Sequence, residues 1–146
     1  MQTWLKTILL GVSLSLASGL TMAAGHLEGE HKEQSKQGAY FISPLHQATV
    51  AQKVQVEMGI HGMKVRQAGT LVEGTGHHHL IIDGAFVPQG EAVPKDARHI
   101  HFGKGQTSTS INLSPGKHTL TLQFADGYHQ SYGEHASQSI EVMVKD

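Results

Sequence analysis

Histidine is the residue type that stands out in this chain, at 12 of 146 residues, while cysteine is absent. Two stretches concentrate it: Gly76-His77-His78-His79-Leu80-Ile81-Ile82-Asp83 and Arg98-His99-Ile100-His101-Phe102. Neutral imidazole nitrogen ligates zinc, copper, nickel or iron, at about 2.0–2.1 Å in the case of zinc. A carboxylate such as Asp83 can add an oxygen donor. Spacing decides whether these groups meet. Successive side chains of a strand point to opposite faces, so His77, His79 and Asp83 share a face with Ile81, and His78 shares the other with Leu80 and Ile82. In the second stretch, His99 and His101 face away from Ile100 and Phe102. If the two strands are neighbours, facing Cβ atoms lie about 4.5–5.5 Å apart. His77, His79, His99 and His101 then form one cluster, with Asp83 beside it.

Other residues are candidates from loops. His129, following Asp126, can add a ligand, and His61 with Met63 offers a set suited to copper(I), although Met58 and Met63 serve equally as core filling. His78 and His118 fall on apolar faces and read as core histidines that need hydrogen-bond partners. Copper or zinc is the metal the donor set suits. Two further readings stay open: a histidine network that braces the fold without metal, and a metal-dependent enzyme whose open coordination position activates water. The chain has no nucleophile elbow, no H-E-x-x-H helix and no cysteine nucleophile. Gly103-Lys104-Gly105 lacks the spacing of a phosphate-binding loop. No catalytic residue is identified, and binding is the more economical reading than catalysis.

The elements that must position these residues are strands. Lys53 to His61 alternates, with Val54, Val56, Met58 and Ile60 inward. Ile111 and Leu113 mark a strand over 107–113, Leu120, Leu122 and Phe124 another over 117–125, and Ile140, Val142 and Val144 a last one. Tyr40–Ile42 and the two histidine stretches complete the set. Ser114-Pro115-Gly116-Lys117 has the form of a type II turn. Residues 84–97, with Pro88 and Pro94, read as a long connection, and 126–136 as a polar loop. About seven short strands without a helix predict an all-β domain over 39–146. An immunoglobulin-like or Greek-key antiparallel β-sandwich is expected, with a small closed barrel as the alternative.

Residues 1–24 read as a cleaved signal peptide: Lys6, an apolar run from Ile8 to Leu20, then small residues up to Ala23-Ala24. The run is too short for a stable membrane anchor after cleavage. A periplasmic or secreted location is therefore expected. Residues 25–38 are polar and read as a flexible leader. Cleavage after Ala23 would also expose Ala24-Gly25-His26, whose amine, amides and imidazole can form a square-planar copper(II) or nickel(II) site. The formal net charge is −1. Losing Lys6 leaves 10 of the 11 basic residues against 12 acidic ones, or −2. No basic patch suggests nucleic acid as a partner, and no protein partner is indicated.

Several motifs taken together carry a resemblance. They are Ile42-Ser43-Pro44 with Ala48-Thr49-Val50, Gly62-Met63, the Gly76–Asp83 stretch, His99-Ile100-His101-Phe102-Gly103, Gly105-Gln106-Thr107, Pro115-Gly116-Lys117-His118-Thr119-Leu120, and Asp126 with His129. From about Tyr40 to the C-terminus the chain resembles the exported bacterial family called domain of unknown function 4399. That resemblance implies an exported all-β domain and carries no activity with it.

Overall fold

A computed structural model describes residues 38–146. The signal-peptide reading of 1–24 and all of the leader but Gly38 lie outside the described residues. Nine strands follow in order: β1 Gly38–Ser43, β2 Ala48–Val50, β3 Lys53–His61, β4 Lys64–Val65, β5 Thr75–Ile82, β6 His99–His101, β7 Ser108–Asn112, β8 Gly116–Ala125 and β9 Ser137–Val144. The only helical element among the described residues is a 3-10 turn at Glu134–Ala136.

The strands form a three-stranded sheet, β1-β3-β7, and a six-stranded sheet, β2-β9-β8-β5-β4, in which β6 also pairs with β5. Alternation dictates what lies between them. Val54, Val56 and Met58 of β3 and Phe41 of β1 meet Leu80 of β5, Leu120, Leu122 and Phe124 of β8, and Ile140, Val142 and Val144 of β9 in one buried core. This is the expected two-sheet, all-β architecture. The pairing is mixed rather than wholly antiparallel, because β2 runs parallel to β9 and β4 parallel to β5. Those two strands have three and two residues, too few for a period-2 pattern to show in sequence.

The outer face of the six-stranded sheet departs from the simple alternating picture. Residues 84–97 fold back over it, so that Val87 and Val93 pack on Ile81 and Ala125 as a second small core. Gln123, fully buried on this face, fixes the loop: its Oε1 accepts from Val87 N at 3.0 Å, and its Nε2 donates to Gly133 O at 3.1 Å. The face that carries His77 and His79 is thus roofed, and both histidines are buried.

Candidate metal centre

Register brings the histidines together. The antiparallel pairing of β5 with β6 sets His79 opposite His101, Leu80 opposite Ile100 and Ile81 opposite His99. His77 stands two residues before His79 on the same face. The fourth member is His129, which reaches the face from the loop after β8. One nitrogen from each of His77, His79, His101 and His129 can be chosen so that all four lie within 4.8 Å of one another. His77 Nε2 lies 3.0 Å from His129 Nδ1 and 3.1 Å from His101 Nε2. The rings of His79 and His101 are stacked with centroids 5.0 Å apart.

Local chemistry explains how the two loop-side rings are held. His129 has a φ of +68°, a left-handed conformation that a non-glycine residue keeps only when its surroundings impose it. Here the Asp126 carboxylate does so, with Oδ1 accepting from Tyr128 N at 2.8 Å and Gln130 N at 3.0 Å. Gly127 lets the loop touch the segment before β5, since a Cβ there would collide with the carbonyl of Thr70. Gly69 N donates to Gly127 O at 2.8 Å and ties the two loops. Gly103 does the same service for His101: a Cβ on it would sit 2.6 Å from His101 Nε2.

Burial and mutual proximity favour the neutral form of His77, His79 and His101. Burial, followed by the nearby imidazoles of His101 and His129, lowers His77 to about 4, while Asp126 opposes that shift. Burial first, and then four neighbouring imidazoles, His77, His101, His129 and His78, lower His79 to about 2. His101 is lowered by burial first, then by His129 and Lys95. A neutral imidazole offers one lone pair and one N–H, each in the ring plane. His77 Nε2 therefore cannot make two directed hydrogen bonds, yet it faces two ring nitrogens at bonding distance. His77 Nδ1 and His79 Nδ1 are meanwhile buried without any partner. Hydrogen bonding alone leaves this group unsatisfied. Four nitrogens bound tetrahedrally at about 2.0–2.1 Å stand about 3.3 Å apart, a spacing that the observed range brackets. The four histidines could hold a metal ion.

Two residues of the sequence-derived site lie elsewhere. His99 shares the outer face but sits one pair further along β5, opposite Ile81, where its Nδ1 is 2.7 Å from Asp96 Oδ1. Asp83 leaves the strand with a φ of +51° and turns to the start of β8. There its Oδ2 is 2.9 Å from His118 Nδ1 and its Oδ1 accepts from Thr119 N at 2.9 Å. His118 Nε2 in turn lies 2.9 Å from the Ser114 carbonyl. Both of its nitrogens face acceptors, so the Asp83 carboxylate raises its pKa and favours the imidazolium. With Nδ1 engaged by Asp83 and Nε2 by the Ser114 carbonyl, His118 turns neither nitrogen toward the cluster. His61 stacks on Tyr40, Met58 belongs to the core, and Met63 is half-buried against it.

The profile of the family described as "Domain of unknown function (DUF4399)" matches residues 56–145, most of the described chain. The chain belongs to this family. No curated protein and no solved structure matches it. All four clustered histidines of this DUF4399 domain lie within the matched segment. No helix among the described residues is long and apolar enough to cross a membrane.

Sequence reasoning missed the surroundings of the DUF4399 site. A pocket of about 210 Å³ adjoins the cluster, lined by His79, His101 and His129 together with Ala92–Lys95 and Tyr128. Residues 92–95 come from the connection that folds over the sheet. Val87 and Val93 of that connection, apolar residues each followed by a proline, were the available signal that it is packed. His78 is the other surprise. It is fully buried against Phe124, with neither ring nitrogen bonded.

Proposed function

We propose that this domain binds one copper or zinc ion through His77, His79, His101 and His129. The observation that carries the reading is the convergence of four imidazoles from β5, β6 and the 126–130 loop, with His77 Nε2 facing two other ring nitrogens. Burial keeps the lone pairs of His77 and His79 available near neutral pH, where protons compete with metal for them only in acid. A bracing network without metal is the rival explanation, and His77 Nε2, which faces two ring nitrogens but can make only one directed hydrogen bond, speaks against it.

Purified without an affinity tag and titrated at pH 7.5, the protein should take up one equivalent of copper(II) or zinc(II). His101→Gln should abolish stoichiometric uptake, while His118→Gln, remote from the cluster, should leave it intact. Equal weak uptake by all three proteins would overturn the reading. We further propose that the domain acts outside the cytoplasm, from the signal-peptide pattern of residues 1–24. Fractionation of cells expressing the whole chain tests this, and retention of the intact chain in the cytoplasm would refute it.

A further inference from the structure

The pocket beside the cluster gives the site an asymmetry. His79, His101 and His129 line it, while His77 does not. A metal held by the four nitrogens would have His77 behind it and the pocket before it. The pocket walls differ in kind: Ala92, Val93 and Pro94 supply apolar surface, and Lys95 and Tyr128 supply an ammonium and a phenol. Four imidazoles are neutral ligands and cancel none of the charge of a divalent ion. The nearby carboxylate, Asp126, is buried and occupied by the backbone amides of Tyr128 and Gln130. The metal and Lys95 together therefore leave the pocket strongly positive.

We propose that this pocket binds a small anion that joins the four imidazoles as a fifth ligand on the pocket side of the metal, with Lys95 as its second charge partner. The proposal rests on the metal-binding reading above. Size limits the ligand class. At about 210 Å³, the pocket is below the roughly 300–1,000 Å³ of sites for drug-sized ligands, so it suits an anion of a few heavy atoms rather than a peptide or a sugar. The apolar wall excludes water from one side of the anion and strengthens its attraction to the two cations. The phenol of Tyr128, on the pocket wall, is a further hydrogen-bond donor.

The test uses the copper(II)-loaded domain, titrated with sodium azide at constant ionic strength and followed by its visible absorption. Azide should bind saturably with a new ligand-to-metal band, and acetate should compete with it, while uncharged methanol should not. Lys95→Gln should retain copper and weaken azide binding roughly three- to tenfold, the scale of one charge pair at a half-open site. Lys95→Arg should restore most of it. Ala92→Leu, which adds bulk at a pocket-lining residue that is not a ligand, should retain copper and block the spectral change. Failure to bind copper at all removes both readings. Copper binding without a response to azide leaves the metal site standing and overturns the anion pocket. An azide response that is unchanged in both Lys95→Gln and Ala92→Leu also overturns it, because the anion would then reach the metal by another side.

Discussion

At the residue scale, two side chains carry consequences that the cluster alone does not show. His78 points into the core between the sheets, where both of its nitrogens lose water and gain nothing. An unmade buried hydrogen bond costs about 1–3 kcal/mol, and an apolar side chain of similar volume avoids that cost. His78→Leu should therefore be neutral or raise the melting temperature at pH 7.5, where about 1 kcal/mol corresponds to roughly 4–8 °C for a domain near this size. A calorimetric loss of many degrees would show that the imidazole has a role in the core. Gly103 makes the complementary case. Because its missing Cβ leaves room for the His101 ring, Gly103→Ala should push that ring out of the cluster. We expect metal affinity to fall about 10- to 100-fold, the usual effect of disturbing a ligand's support, with far-ultraviolet circular dichroism unchanged. Unaltered affinity in a metal titration would refute this account of Gly103.

At the scale of elements, the site depends on a loop being as well defined as a strand. β5 and β6 hold three of the rings through backbone pairing, whereas His129 relies on the Asp126 carboxylate to hold a left-handed backbone. Asp126→Ala removes both acceptor bonds to the loop amides. It should lower stability by about 1–2 kcal/mol, as loss of comparable side-chain caps does. Metal affinity should fall with it, while the strands persist. Hydrogen exchange should show faster exchange at the amides of Tyr128 and Gln130 but not at those of β8. Exchange unchanged at both amides would mean that the loop is held by its contacts with residues 69–70 instead.

At the scale of the whole molecule, the buried histidines make the metal-free domain sensitive to acid. An unfolded chain protonates its histidines near pH 6.5. Folded His77 and His78 are lowered to about 4 and folded His79 to about 2, in each case first by burial. Below pH 6.5 the unfolded state binds more protons than the folded one, so stability falls as the pH drops from about 6.5 toward 4. Their contribution is complete above pH 6.5. His118 has the opposite sign: Asp83 raises it, so its stabilisation is complete below pH 6.5 and is lost as pH rises through its higher folded value. Three strongly lowered groups outweigh one exposed pair. The midpoint of denaturant unfolding should therefore drop between pH 7.5 and pH 5, and a His79→Gln, His101→Gln double variant should drop less. Equal losses would uncouple the cluster from the fold.

Amino-acid order alone determined which side chains share a face. The alternation of Leu80, Ile82, Ile100 and Phe102 with histidines is a local property of extended backbone, which is why the core of Val54, Leu122 and Ile140, and the placing of His77, His79 and His101 on one outer face, could be read directly. Tertiary structure decided the rest. A shift of two residues between β5 and β6 would preserve every face yet exchange His99 for His101 at the cluster. Only the pairing of His79 with His101 settles that choice. Asp83 has the right parity but leaves the strand at a left-handed residue and bonds to His118. His129 enters from a loop with no periodicity to announce it. The roof of Val87 and Val93 was hidden for the same reason: irregular backbone is held by side-chain and backbone contacts across long sequence separations, and these have no local period.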